Sequence, residues 1–540
     1  MRQKARLREM TPRKVPADAK LTLGVIAVLT VLGTLVGDLA FGAFLTPFVY
    51  LLGTYAMSRM TMRDSMLSLM FLTLVLQDPN DGSPVRTEIW SPPFTGAGGV
   101  LLSHLNAVGR PLGSFGWASF SLMDLFLVTL VGIDYLRRTT RSKLDSVERI
   151  TTPRPILRLA ALATLGTLFT WLWGLATGGD FGKSLWQLNR VMYLPLLVYL
   201  FHLALRGPQD LAPLLKVLLS AAVYKSLLAL YVVATVVVPA DPFTGATRPA
   251  HATSHQDSIL FATAFATLLV LVLERVGGAK RAIRLAALLL PILAAGMWAN
   301  NRRRAWVQVG MVFFTVYLMT AQNPVKRAFQ RALLMAAPFA SLYVWLGWGR
   351  GGTLFKPVQV LRSVVDAKSD GSSNWRELEN FDIMQTLKAN PIFGTGYGHG
   401  FYEIIKLPAV GYDLEIYCPH NSLLGIWAFA GVVGYTCLTL LWIAGVYFAV
   451  RTYHGAREPE LRAAALVIVG AVVIYIIQCW ADLGIGMWIG VFIVAPAFVM
   501  AGKLAVYTGQ WPGSAATNAA VGATREPAHP PRAHEAARPQ

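Results

Sequence analysis

Long apolar runs follow one another along almost the whole chain, near 21–36, 39–57, 64–77, 119–135, 157–177, 191–205, 211–238, 258–275, 283–300, 305–321, 332–348, 421–450, 461–480 and 484–505. Runs of this kind cross a hydrocarbon core of about 30 Å as helices, which takes roughly 20 residues. The run at 64–77 is the shortest. Evenly spaced amphipathic strands of about ten residues are missing, which argues against a β-barrel. The pattern predicts an all-α polytopic transmembrane bundle of about 12–14 helices. One polar gap, 349–420, is too long for a simple connector and predicts a large loop carrying short helices. Within it, 374–389 sets Phe381, Ile383, Met384 and Leu387 at the spacing of a short amphipathic helix. Asn390-Pro391 ends that helix, because proline disfavours the helical conformation of its predecessor. The expected organisation is a basic N-terminus (1–20), a membrane domain (21–506) and a disordered Ala/Pro-rich tail (507–540).

Composition agrees. Of 540 residues, 54% are hydrophobic and 14% charged, which excludes a soluble domain. The net charge of +19 would suit a nucleic-acid binder, but the basic residues stand in short blocks between apolar runs. That is how a membrane protein sets its orientation, so nucleic acid is not an expected partner. Residues 136–156, 276–282, 322–331 and 451–460 are rich in Lys and Arg, whereas 78–118, 178–190, 239–257 and 349–420 are nearly balanced. The basic segments and both termini are expected inside, and the loop 349–420 outside. Three cysteines make no disulfide framework. The first apolar run has no convincing cleavage site and is followed at once by a second, so no cleavable signal peptide is expected.

Candidate chemistry collects at the outer face. The turn Asn300-Asn301-Arg302-Arg303-Arg304-Ala305-Trp306 joins two apolar helices. Three arginines there ordinarily mark a cytoplasmic stop. Two spans separate this turn from the loop 349–420, however, so the two share a face, and four spans likewise place Arg190 with Arg303. Outer arginines in that number point to an anionic ligand, since the planar guanidinium grips two phosphate oxygens at once. Arg376 lies in the expected outer helix beside Glu377 and Glu379, where a surface ion pair would be the ordinary reading. Pro419-His420-Asn421-Ser422 opens the next apolar helix. His420 is either a backbone-bonded helix-start residue or a general base, its reference pKa near 6.5 allowing a neutral imidazole to take a proton. His399 is the rival base. Glycines 394, 396, 398 and 400 lack the Lys-Ser/Thr of a phosphate loop and are expected to permit a tight backbone path close to a ligand. His251 and His255 have a zinc-compatible spacing without a clear third ligand, so no metal is expected. Lys225, within a span, needs Asp124 or a polar cavity as partner.

Across roughly 280–450 the sequence resembles the O-antigen ligase and O-antigen polymerase superfamily. The family's Ser-Arg-Gly-Ala-Trp-like turn corresponds to Arg302-Arg303-Arg304-Ala305-Trp306, which puts its arginine at Arg303. Its outer-helix arginine followed by a Pro-x-x-Gly-x-Gly pattern corresponds to Arg376 and Asn390-Pro391-Ile392-Phe393-Gly394-Thr395-Gly396, and its His-Asn-Ser motif to His420-Asn421-Ser422. The resemblance implies a metal-independent, cofactor-free, inverting glycosyltransferase of the bacterial inner membrane. Arg303 and Arg376, with Arg304 and Arg190, would hold the diphosphate of a polyprenyl-linked glycan. His420 would activate the acceptor hydroxyl, and Gly394, Gly396, Gly398 and Asn421 would shape the loop. The implied partners are that lipid-linked glycan, a saccharide acceptor (a lipid-linked repeat or lipid A-core), membrane lipids and a chain-length regulator. The first expectation is an O-antigen or exopolysaccharide polymerase; a ligase to lipid A-core differs only in acceptor. A flippase or transporter would show inverted repeats and midplane charges. A metal-dependent oligosaccharyltransferase would want an acidic pair where only Asp38 is found.

Overall fold

A computed structural model describes residues 15–36, 39–76, 101–102, 120–140, 142, 144, 149–237, 252–350, 353–365, 371–407, 415–482 and 484–512. The expectations for His251, for Asp38, for residues 1–14 of the basic N-terminus and for 513–540 of the tail lie outside them. Among the described residues a helix stands at each of the fourteen expected spans. They are α1 (Ala17–Val36), α2 (Leu39–Arg59), α3 (Met62–Val75), α4 (Leu122–Thr139), α5 (Arg154–Ala176), α6 (Phe181–Ala204) and α7 (Leu211–Val232). Next come α8 (Asp257–Leu273), α9 (Ala279–Asn300), α10 (Arg303–Met319) and α11 (Pro324–Gly347). The polar gap supplies α12 (Lys356–Val365) and α13 (Gly371–Ala389). The chain then closes with α14 (Ser422–Gly455), α15 (Pro459–Ala481) and α16 (Trp488–Tyr507). Among the described residues, six segments combine the length and hydropathy of a membrane crossing: α5, Pro208–Thr235, α9, α14, α15 and α16. The protein is thus a polytopic helical bundle, as expected.

The capping residues set the helix starts. Near 191 the apolar run begins, yet α6 starts at Phe181 because the Asp180 side chain accepts the Lys183 N–H. In the same way Asn323 accepts from Lys326 and starts α11 well before 332. An N-cap acceptor satisfies a donor the helix itself cannot. α16 is buried nearly all round and forms the centre of the bundle, touching α6, α14 and α15.

The two ends differ chemically. At one, Arg137 donates to the carbonyls of Met57, Ser58 and Met60, Arg63 pairs with Asp210, and Arg462 pairs with Glu274 at 3.0 Å. The other end gathers the 300–304 turn, α13 and the start of α14. Lys225 is fully buried below it and pairs at 3.1 Å with Asp257, while donating to the Leu76 carbonyl. The expected partner, Asp124, instead caps α4 through Ser121. Helix packing of α7 on α8 brings Asp257 into reach.

α14 is broken at Gly431, whose backbone leaves the helix at φ 59°. A break inside a span exposes backbone groups that the bilayer cannot satisfy. The glycine loop repairs it. Thr395 and Gly396 N–H donate to the Ala428 and Phe429 carbonyls, and Val432 and Val433 N–H donate to those of Pro391 and Ile392. A Cβ on Gly394 would lie 2.2 Å from the Phe429 carbonyl oxygen, and one on Gly396 would lie 2.2 Å from Gly174 Cα in α5. The close approach that these glycines permit is therefore to the protein's own helices. They clamp the end of α13 onto α14.

Candidate active site

The clamp sets α13 across the start of α14. Its inward face was expected to be apolar, and Ile383 and Leu387 are buried, but Phe381 and Met384 are exposed. Glu379, Asp382 and Thr386, all fully buried, take the remaining positions. The reason is backbone satisfaction: Asp382 accepts the N–H groups of Ile404 and Ile405, and Thr386 that of Tyr402. Burial here follows hydrogen-bond demand, which hydrophobic periodicity does not register.

Glu379 serves His420. Its two oxygens accept the His420 backbone N–H at 3.1 and 3.2 Å, and Oε1 lies 3.2 Å from His420 Nδ1. Trp375 meets the imidazole edge-on at 4.8 Å between ring centres. A carboxylate facing Nδ1 makes that nitrogen the donor, which in a neutral imidazole leaves the lone pair on Nε2. The Glu379 carboxylate beside Arg376 in sequence is thus taken up by the histidine. Asn421 caps α14 by accepting the Leu424 N–H and donates to Asn380 on α13, which locks the two helices together beside His420. His399 turns to the end of α5, its Nε2 3.0 Å from Thr177 Oγ1.

Arginines close the other side. Arg304 pairs with Asp482, which also lies 3.0 Å from His255 Nδ1, and the Asp482 carbonyl accepts from Ser422 of the His-Asn-Ser motif. Burial opposes the Asp482 charge, but Arg304 and His255 outweigh it and hold the carboxyl well below its usual range. Burial pushes the His255 imidazole down, with Arg302 and Arg304 acting in the same direction against Asp482. Arg376 is lowered by burial first, then by Arg304 and Arg303, only partly offset by Asp482 and Glu379. Arg190 donates to the Gly486 carbonyl at 3.2 Å and stacks 4.5 Å over Trp186. Five guanidinium groups (Arg190, Arg302, Arg303, Arg304 and Arg376) therefore stand near two carboxylates, Glu379 and Asp482, beside a histidine poised to accept a proton. Such a site can hold a multivalent anion and deprotonate a neutral group.

Sequence reasoning missed Glu379 as the histidine's partner, and it missed Asp482 and the Asp482–His255 contact altogether. One signal existed. Asp482 is the only acidic residue between Leu461 and Trp511, standing where an apolar run ends.

His255 supplies a pH test. Its lowered folded pKa means that the unfolded chain binds the extra proton first as pH falls below about 6.5, so the folded state loses stability on acidification. Melting of the purified protein should shift down between pH 7.5 and 5, and His255→Gln should flatten that slope. An unchanged slope in the variant would show that His255 is not the group responsible.

The protein is a polytopic helical bundle with an arginine cluster beside a carboxylate-paired histidine at one end. Residues 252–439 are similar to the family described as O-antigen ligase, a match that takes in about a third of the chain. The match begins before the 280 expected from the motifs and takes in α8 together with His255. A search of curated proteins returned no match.

Proposed function

We propose that the protein transfers a glycan from a polyprenyl diphosphate carrier to a saccharide hydroxyl at the outer face of the inner membrane, as an O-antigen or exopolysaccharide polymerase. The observation that carries this is the convergence of the Glu379–His420 pair with Arg303, Arg304 and Arg376. His420 Nε2 takes the acceptor proton as the hydroxyl oxygen attacks the sugar C1. The bond from C1 to the diphosphate oxygen breaks, and its electron pair leaves with the diphosphate. Arg303 and Arg376 stabilise that departing charge in place, without solvent reorganisation. Attack opposite the leaving group inverts the anomeric centre, and no step calls for a metal. The family's description favours a second reading, a ligase whose acceptor is lipid A-core.

Surface glycans of a deletion strain separate the two. Single repeats retained on the acceptor mean polymerase; long carrier-linked chains without transfer mean ligase. Normal surface glycans would refute both.

Orientation has its own test. A cysteine replacing Ser372 in α13 should react with a membrane-impermeant maleimide in intact spheroplasts, and one replacing Ser142 only after lysis. The reverse pattern would place the site on the cytoplasmic face.

Glu379→Gln keeps the side chain's shape and removes its charge, so that Nδ1 no longer has to carry the proton. Turnover should fall by about 10²-fold or more with donor KM little changed. If the acid only braces α13, turnover in the variant will track the loss of thermal stability.

A further inference from the structure

The helical face of α10 that meets α11 carries Arg303, Trp306, Gly310, Phe313 and Tyr317, at alternating spacings of three and four. At the base of this face the two helices are joined. Phe313 packs on Phe329 at 5.0 Å between ring centres, and Gln330 donates to the Tyr317 hydroxyl at 2.9 Å. Further up the same face the contact ends. Trp306 is 43% exposed, and a Cβ on Gly310 would have nothing within 4 Å. On the opposing helix every residue from Arg331 to Leu342 is exposed, including Leu334 and Phe339 at 75% each. A helix that simply borders the bilayer buries one side against its bundle. These three turns of α11 bury none, so the space between α11 and α10 is open and apolar on both walls. Arg303 stands at the top of the same face of α10. Arg304, one residue on, instead crowns the buried stripe Gln308–Val312–Val316 and is engaged by Asp482.

An apolar wedge under a guanidinium matches a molecule with a long hydrocarbon tail and an anionic head. Resting on the glycosyl-transfer reading above, we infer that the wedge between α10 and α11 receives the polyprenyl tail of the donor, which enters sideways from the bilayer and delivers its diphosphate to Arg303. The floor of the wedge is Gly310, where a side chain would take the tail's place.

The test uses the full-length protein in lipid nanodiscs. With p-benzoylphenylalanine in place of Trp306, light should cross-link radiolabelled undecaprenyl diphosphate, and excess unlabelled compound should abolish the signal. The same photoreactive residue at Leu172, exposed on α5, should give only weak labelling that does not saturate. Equal labelling at the two positions would mean that the wedge holds ordinary bilayer lipid and would overturn the inference. Cross-linking of one chain to another would overturn it in favour of a second copy. Gly310→Leu, for which the backbone has room, should raise KM for the long-chain donor by about tenfold with kcat and melting temperature little changed; an unaltered KM also counts against the wedge. The two readings fail separately. If Arg376→Ala abolishes transfer while the wedge variants do nothing, the tail site is wrong and the activity stands. If the unmutated protein transfers no glycan but cross-links saturably at position 306, the tail site stands alone.

Discussion

His420→Ala should lower turnover by about 10²–10⁴-fold, the usual contribution of a positioned general base. The effect belongs to kcat, because in the proposed mechanism Arg303 and Arg376, and not the imidazole, hold the lipid diphosphate. Binding of the donor, measured directly, should be nearly unchanged. EDTA should have little effect. His399→Ala is the control: its side chain is turned to Thr177 and should tolerate replacement. An inactive His399→Ala beside a fully active His420→Ala would move the base to the glycine loop. It would also leave the Glu379–His420 pair as a structural brace between α13 and α14.

Arg303→Ala and Arg376→Ala should each abolish transfer while leaving the protein folded. Lysine should rescue poorly at either position, because it offers a point charge in place of a two-pronged donor. Arg304→Ala should behave differently. Asp482 is buried and has Arg304 as its principal counter-charge, so removing the arginine strands a carboxylate in low dielectric. Breaking such a pair costs about 3–5 kcal/mol, and the loss should appear in melting temperature before it appears in kinetics. Full activity of the lysine variants at both 303 and 376 would reduce these arginines to general surface charge. Equal destabilisation by all three alanine variants would instead make the cluster a structural element.

The Arg302–Arg304 turn, Arg376 and His420 could be read from the chain because spans alternate direction. Counting helices is enough to assign loops to faces, and the residues that share a face can then be compared by type. What counting could not supply was which carboxylate meets which cation. Arg376 has Glu377 and Glu379 as sequence neighbours, yet Glu379 points to His420, which is 41 positions away. Lys225 is paired with an acid on the next helix, and Asp482 binds an arginine 178 positions earlier. These pairings depend on how helices rotate about their own axes, and a hydropathy pattern constrains that rotation only loosely when the helix is apolar all round.

The sequence by itself determined the class: long apolar runs must become spanning helices, since the bilayer offers the backbone no other partners. Local caps at Asp180, Asn323 and Asn421 start three of the helices, two of them well before the apolar run begins. Tertiary structure alone decided the role of the glycine loop, because the carbonyls and N–H groups it satisfies exist only once α14 has broken at Gly431. It alone divided the adjacent arginines as well. A step of one residue sends Arg304 to the buried stripe and Asp482, and Arg303 to the face that carries Trp306 and Gly310. A rotation of about 100° per residue separates neighbours that the sequence presents as equivalent, and only packing shows what each one then meets.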